Sequence, residues 1–275
     1  MASLLENDPI STSLNIMRRL PPSKIEQNLA GLLQLSPSST DELLQRIDQP
    51  LTSSKSSRSY LLSDYNRDGD SYRNPWTNQY EPDIEDGFKP SSALRELEVS
   101  FNEIFDSYRD LYYEGGVSSV YLWDLDDSTP TLGWAGCFLI MKEVTEDTHV
   151  KKGSWNSIHV VECNEGKGEA EYKLTTTIMV SMDTDGLLLG ATNLAGSMTR
   201  QATSKGKVER GDEDHVKNVG KMIEDMEIDM RSNMDGLYLQ KTAEVVSKVR
   251  GVRVGGVGKE HVEKLNEKVK GMNTK

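Results

Sequence analysis

A short acidic run beginning at Asp64 has the spacing most suggestive of chemistry in this chain. Asn66 and Asp68 follow at alternate positions and Gly69 comes next, which matches the first half of an EF-hand calcium loop. The twelfth position of such a loop must be a bidentate glutamate, and Pro75 stands there. We therefore expect this run to form a hydrogen-bonded turn and not a calcium site.

A glycine-rich stretch near the C-terminus ends in Gly258-Lys259, which resembles the end of a Walker A phosphate loop. Arg253 stands where that loop has its first glycine, and Glu260 stands where it has serine or threonine. A carboxylate at that position repels phosphate and cannot supply the hydroxyl that binds magnesium. The glycines are therefore interpreted as a hinge.

The remaining candidate groups form no catalytic arrangement. The four histidines, His149, His159, His215 and His261, fall on different predicted elements, and no two of them have a metal-ligand spacing such as His-x-x-x-His. Aspartates at predicted strand ends are typical of turns and caps, and the chain has no Gly-x-Ser-x-Gly motif. We predict that the protein is not an enzyme and has no catalytic, cofactor or metal site.

The charge of the chain is unevenly distributed. Its 275 residues carry a formal net charge of −12, with 23 basic and 40 acidic side chains up to residue 239 and 9 basic and 4 acidic after it. The body is thus acidic, at −17, and the C-terminal segment is basic, at +5. An acidic body argues against a general nucleic-acid binder, because neutralising phosphates requires a basic face.

The composition also limits the class of protein. Hydrophobic residues make up 36% of the chain and the mean hydropathy is −0.57, which is low for a self-contained globule of this size. These values fit a subunit that completes its core against a partner. The alternative explanation is that a solvated acidic surface alone lowers the hydrophobic content. The most apolar stretch, 133–141, is too short to span a membrane, so we predict no transmembrane segment.

Two features favour a cytoplasmic protein. The N-terminus lacks the basic and apolar regions of a secretory signal. Cys137 and Cys163 form no Cys-x-x-Cys motif, which fits reduced thiols in the cytosol, with a disulfide between them as the less favoured alternative.

The apolar periodicity predicts an α+β fold that begins with a stalk. Residues 1–50 are expected to form a three-helix antiparallel stalk, since capping boxes at positions 23–26 and 39–42 introduce short apolar stripes. Residues 51–90 are rich in Ser, Asp, Asn and Pro and are expected to be an irregular segment. Residues 91–116 then form a linking helix that ends at paired glycines.

A five-stranded antiparallel meander is predicted for residues 117–201, where runs rich in Val, Ile, Thr, Tyr and Trp alternate with polar turns. No helical pattern separates these strands, and Asp185-Gly186 is a hairpin signal. Residues 202–250 are expected to contain a long helix over the sheet. Because such a sheet has two edges, another element must cover at least one of them.

Residues 251–275 are expected to form a flexible tail that carries a small amphipathic helix. Apolar residues repeat on one face of this helix and lysines surround them. The face and its basic surround include Val262, Leu265, Val269, Met272, Lys264 and Lys268. Two interpretations stay open, in which the helix binds a partner or packs on its own domain.

Several segments together resemble the beta subunit of the F-actin capping protein family (CapZ). The most specific is DYNRDGDSYR at 64–73, and Ser63 before it stands where the family usually has cysteine. Other matching segments follow the family's order between about residues 14 and 250. They are 17–22, 48–51, 60–76, 105–126, 157–162, 196–201 and 223–242.

The resemblance implies an obligate heterodimer with an alpha subunit, in which a sheet continues from one subunit into the other beneath two long antiparallel helices. It further implies a non-catalytic, calcium-independent cytoskeletal protein without a nucleotide or metal of its own. Such a protein binds the barbed ends of actin filaments and blocks the addition and loss of actin subunits. Phosphoinositide, capping-protein regulators and dynactin are further partners that the resemblance leaves open.

The resemblance also leads us to place the actin contact in the tail, on the apolar and basic residues named above. Arg231 in the long helix is a candidate for a basic surface that meets actin or phosphoinositide, and equally a candidate ion-pair partner of Glu227. The alternative function is a scaffold subunit of a larger cytoskeletal complex whose basic tail binds acidic lipid. A satisfied polar network is expected to tie the 60–80 segment to the helices through Asp64, Asn66, Arg67, Asp68 and Arg73.

Overall fold

The computed structural model describes residues 24–45, 50–54, 58–125, 133–145, 150–184 and 192–240, together with Ser13 and Glu244. These residues fall into two compact units, one that ends at Met226 and one that begins at Glu227. The first predicted stalk helix, apart from Ser13, and the whole predicted tail lie outside the described residues.

The described part of the predicted stalk contains two helices. Helix α1 spans Ile25–Leu35 and helix α2 spans Thr40–Gln45, with a 3₁₀ turn at Pro37–Ser39 between them. Lys24 stands at the N-cap of α1, and its side chain makes no capping hydrogen bond. The proline that opens the turn ends α1, because it cannot continue the helical hydrogen bonds.

The irregular segment that follows contains a 3₁₀ turn at Asp64–Asn66 and, among its described residues, strands of two or three residues. They are β1 (Thr52–Ser53), β2 (Leu61–Leu62), β3 (Arg67–Asp68), β4 (Ser71–Arg73) and β5 (Tyr80–Glu81). Strand β1 pairs with β2, and β3, β4 and β5 form a second small antiparallel sheet. Strands this short have little stability of their own, so the segment depends on what it packs against.

The body of the first unit is built on a five-stranded antiparallel sheet whose strands follow each other in chain order. The predicted α+β fold, with a five-stranded meander and a C-terminal helix, is confirmed. The strands are β6 (Val117–Asp124), β7 (Gly133–Thr145), β8 (Val150–Glu165), β9 (Glu169–Thr184) and β10 (Thr192–Lys207). The long helices are α3 (Ser92–Tyr113) and α4 (Asp212–Met234), and a π-helical turn at Asp235–Gln240 follows α4.

One face of the sheet packs on the two long helices. The ring of Phe138 in β7 makes edge-to-face contacts with Phe101 and Phe105 of α3, at centroid distances of 4.9 and 5.5 Å. Val219 and Ile223 of α4 belong to the same buried cluster. Burying each such side chain contributes about 1.5–3 kcal/mol, so this face is the main core of the unit.

The irregular segment covers part of the other face. Leu51 and Leu61 pack with Tyr121 and Cys137 in a second, smaller cluster. The hydroxyl of Tyr121 donates to the carbonyl oxygen of Leu61 at 2.8 Å, and the Leu61 N–H donates to Ser119 Oγ at 2.9 Å. These contacts satisfy main-chain groups that burial would otherwise leave without partners.

A buried ion pair joins the irregular segment to α3 and β6. Glu98 of α3 is fully buried and Arg73 of β4 is nearly so. The Arg73 guanidinium donates two hydrogen bonds to the Glu98 carboxylate at 2.8 and 2.7 Å, and the Leu122 N–H donates a third at 2.6 Å. Arg95, one turn before Glu98 on α3, donates a fourth. With four donors the carboxylate is satisfied without water.

The two cysteines lie on opposite faces of the sheet. Cys137 lies opposite Val160, and Trp134 lies opposite Cys163, in the pairing of β7 with β8. Cys137 belongs to the smaller cluster and Cys163 to the main core. Their side chains therefore point apart, and the alternative of a disulfide between them is wrong. Both thiols are free and buried.

No helix within the described residues combines the length and the apolar character needed to cross a membrane.

Replacing Glu98 by Gln should lower the free energy of unfolding by about 3–5 kcal/mol, because it leaves the buried Arg73 charge without its partner. Urea denaturation followed by circular dichroism measures this. The matched control is Glu162→Gln, which breaks an exposed ion pair with Lys173 at 2.8 Å and should cost about 1 kcal/mol or less. An equal loss of unfolding free energy in the two variants would contradict the larger contribution that we expect from the buried pair.

Neither cysteine should react with iodoacetamide at neutral pH in the folded protein. Burial raises the pKa of the Cys163 thiol to about 12 and raises the pKa of Cys137 well above its ordinary value, so the reactive thiolate is scarce. Mass spectrometry should show two alkylated cysteines in urea and none without it. Rapid alkylation of either cysteine in the native protein would refute this expectation.

Candidate functional site

Strand β10 forms an open edge of the main sheet, since among the described strands it pairs with β9 alone. Its register is uninterrupted from Thr192 opposite Thr184 to Lys207 opposite Glu169, and it contains no proline. Proteins normally protect such edges by shortness, bulges or proline. This sixteen-residue strand has none of these three protections, and its charged side chains are Arg200, Lys205 and Lys207.

The outward-facing main-chain groups of β10 can be assigned from its pairing. Just past the strand, the Val208 N–H donates to the oxygen of Gly168 at 3.1 Å, and these two residues continue the register directly. Hydrogen-bonded and non-hydrogen-bonded pairs alternate in an antiparallel ladder. Even-numbered residues of β10 therefore bond to β9, and odd-numbered ones, such as Thr199 and Thr203, direct their N–H and C=O groups away from the sheet.

The end of α3 carries apolar side chains on its outer surface. Ile104 and Leu111 are 52% and 78% exposed and lie two turns apart on one side of the helix. Tyr112 beside them is 43% exposed, and its hydroxyl donates to Glu224 of α4. Large apolar side chains grouped in this way on the surface of a helix mark a contact surface more often than isolated ones do.

Arg231 was predicted either as part of a basic surface or as a partner of Glu227. The structure contains the ion pair, in which Arg231 Nη2 donates to Glu227 Oε2 at 3.2 Å. Glu227 is buried, and 35% of the Arg231 side chain is exposed. One candidate role of Arg231 is therefore confirmed, and contact with actin or phosphoinositide stays a prediction.

The other predicted site residues belong to the tail, outside the described residues. They are Val262, Leu265, Val269, Met272, Lys264 and Lys268. Their assignment to an actin contact stays a prediction.

The polar network expected in the 64–73 segment is smaller than predicted. Asn66 and Arg73 are buried, and the Asn66 amide donates to the carbonyl oxygens of Leu61 and Arg73 at 3.3 and 3.0 Å. Asp64, Arg67 and Asp68 are exposed instead, so their inclusion was wrong. Because the Asn66 side chain turns inward to main-chain groups, it does not line up with the neighbouring carboxylates as a calcium ligand would.

Glu98, the acceptor at the centre of the buried ion pair, was missed by the sequence analysis. It stands one turn after Leu94 and one turn before Phe101, inside the apolar stripe of α3. A carboxylate at such a position must be paired, and the pattern of the stripe alone could have indicated it.

Three potential metal ligands meet at the start of α4. The Cys163 thiol, the Glu165 carboxylate and the His215 ring each place one ligand atom within 4.8 Å of the others. His215 Nε2 lies 3.4 Å from Glu165 Oε1, and Nδ1 lies 2.8 Å from the Tyr172 hydroxyl. Burial lowers the pKa of His215, although the Glu165 carboxylate opposes this. Spacing along the sequence did not indicate this cluster, because His215 lies far along the chain from Cys163 and Glu165.

Comparison with known proteins agrees with this architecture. The family model described as "F-actin capping protein, beta subunit" matches residues 10–246. The F-actin-capping protein subunit beta of Dictyostelium discoideum is 50% identical over 249 residues, which cover 88% of this chain and 89% of that protein. The namesake from Caenorhabditis elegans is 44% identical over 267 residues, which cover 96% and 95% of the two chains.

A solved structure shares the fold at low sequence identity. It is a homodimeric actin capping protein alpha subunit from Plasmodium berghei, with a TM-score of 0.56 and 16% identity. The match covers 92% of this chain and 99% of that one. Taken with the family model and the relatives, these findings show that the chain belongs to the F-actin capping protein beta subunit family.

Proposed function

We propose that this chain is the beta subunit of a heterodimeric F-actin capping protein, which binds the barbed ends of actin filaments and blocks the addition and loss of subunits. The protein acts at the actin cytoskeleton and catalyses no reaction. The observation that carries the proposal is the long, unpaired and regular edge of β10 in a chain of this family. The unpaired main-chain groups of such an edge are a template for a partner strand.

The alpha subunit is the partner that we assign to this edge. The odd-numbered residues of β10 before Lys207, whose C=O accepts from Asn218, offer a regular row of outward N–H and C=O groups. An antiparallel strand from the partner can therefore extend the sheet along this row. The apolar side chains at the end of α3 give the same partner a surface to bury. The low hydrophobic content of the chain fits a subunit that completes its burial in this way.

The C-terminal tail is the actin contact that we assign to this subunit. Burying Val262, Leu265, Val269 and Met272 in an apolar cleft would contribute a gross stabilisation of about 1.5–3 kcal/mol each. Ordering a segment on binding costs about 2–5 kcal/mol or more, so the tail alone is a modest binder. Joined to a body that also binds the filament end, it gains from a high effective concentration.

Charge supports actin as the target of the tail. The C-terminal segment is basic while the body is acidic, and Lys264 and Lys268 accompany the apolar face. Such charges speed the encounter with an acidic surface and make it salt-dependent. Arg231, whose guanidinium is partly exposed beside Glu227, is proposed as a further basic contact.

Proline at two outward positions of β10 should prevent assembly with the alpha subunit. Replacing Thr199 and Thr203 together by proline removes outward N–H groups and leaves the bonds to β9 in place, which edge strands tolerate. Co-purification of co-expressed subunits should fall by about tenfold or more. The matched control replaces both threonines by valine, which keeps the N–H groups, and should assemble normally. Normal assembly of the proline variant would refute the edge assignment.

Deleting residues 258–275 should weaken capping and leave the heterodimer intact. Loss of one arm of a multivalent contact is expected to reduce the affinity for barbed ends by about a hundredfold, measured as inhibition of pyrene-actin elongation. A full-length variant with Lys264→Gln and Lys268→Gln serves as a control for charge, and it should lose mainly association rate and salt dependence. Unchanged capping by the truncated protein would exclude the tail as an actin contact. If the truncated protein capped normally but no longer bound anionic vesicles, the lipid-binding scaffold would be favoured instead.

A further inference from the structure

The cluster at the start of α4 combines the three side-chain types that bind zinc in proteins. A thiol, an imidazole and a carboxylate place their ligand atoms within 4.8 Å of one another. Zinc holds sulfur at about 2.3 Å and nitrogen or oxygen at about 2.0–2.2 Å in a tetrahedron, so its ligand atoms lie roughly 3.5 Å apart. The observed 3.4 Å between His215 Nε2 and Glu165 Oε1 already meets that spacing.

The imidazole of His215 is held in the orientation that a ligand requires. Its Nδ1 is hydrogen-bonded to the Tyr172 hydroxyl at 2.8 Å, and Asn218 Nδ2 donates to the same hydroxyl at 3.3 Å. The ring also makes an edge contact with Trp134 at a centroid distance of 5.7 Å. A histidine fixed through one nitrogen presents the other to the metal, which is the usual arrangement around protein-bound zinc.

Asp214, which carries a charge close to His215, is held by hydrogen bonds of its own. The Asp214 carboxylate accepts hydrogen bonds from the Glu209 and Arg210 N–H groups, both at 2.9 Å, and from the Arg210 side chain. It is therefore occupied with closing the turn before α4. Glu165 is 31% exposed, whereas Cys163 and His215 are buried. A cation can enter on the Glu165 side, where water can supply a fourth ligand.

We propose that Cys163, Glu165 and His215 form a binding site for a single zinc-class divalent cation. Cys163 and Glu165 come from the end of β8 and His215 from the first turn of α4, so a bound ion would cross-link the sheet to the start of the long helix. The ion stabilises this junction and takes no part in binding the filament end. The site is independent of actin binding, and its test needs no filament.

Cobalt is the spectroscopic probe for this site. The full-length chain, co-purified with an alpha subunit and treated with a chelator, is titrated with Co²⁺, and bound Co²⁺ is then displaced with Zn²⁺. One equivalent per beta chain should produce a sulfur-to-cobalt charge-transfer band and tetrahedral visible bands. Zn²⁺ should also raise the melting temperature of the chelator-treated protein, since it binds the native state alone.

Matched variants identify the ligands. Cys163→Ser should abolish the charge-transfer band, and His215→Gln should abolish one-equivalent binding. Glu165→Gln, at a partly exposed position, should keep the band and bind Co²⁺ at least about tenfold more weakly. Cys137→Ser, which removes the buried thiol on the opposite face, should behave as the wild type. Absence of the band in the wild-type protein, or unchanged cobalt affinity in the Glu165 and Cys163 variants, would overturn the proposal.

Discussion

The buried carboxylate of Glu98 is the interaction on which the arrangement of the body depends. Removing a carboxylate from water costs several kcal/mol, and only a full set of donors offsets that cost. Here the donors come from three separate parts of the chain: Arg73 in the irregular segment, Arg95 on α3 itself, and the main chain of Leu122 in β6. The carboxylate is satisfied only when all three parts are in place, so it selects one arrangement among the many that apolar packing alone would allow.

The irregular segment shows what this constraint achieves. Its strands are two or three residues long and cannot hold a conformation unaided. Arg73 attaches the segment to α3, and Leu61 attaches it to the opposite face of the sheet through Ser119 and Tyr121. A stretch with few regular hydrogen bonds thus covers part of a large sheet, because both of its attachments are buried and satisfied.

The surfaces left over by this packing are those that fit a partner. The main core uses one sheet face and the inner sides of α3 and α4, which leaves the outward main-chain groups of β10 and the apolar side chains of Ile104 and Leu111 at the surface. A polar main chain can exchange water for a partner strand at little cost, and exposed apolar groups gain by burial. We propose that the acidic body serves assembly and that the basic C-terminal segment serves filament contact.

The sequence by itself determined the order and type of the elements, because helix and strand periodicities are local properties. It indicated the meander, the long helices and the family. The position of Glu98 within the apolar stripe of α3 also indicates a buried carboxylate that needs a partner. It left two roles of Arg231 open, and the folded chain contains one of them, the ion pair with Glu227.

Only the tertiary structure decided which distant groups meet. The register of β7 with β8 separates Cys137 from Cys163, and the docking of α4 on the sheet brings His215 to Cys163 and Glu165. Contacts of this kind depend on strand register and helix placement, which are set by the burial of the whole core and not by any short stretch of residues.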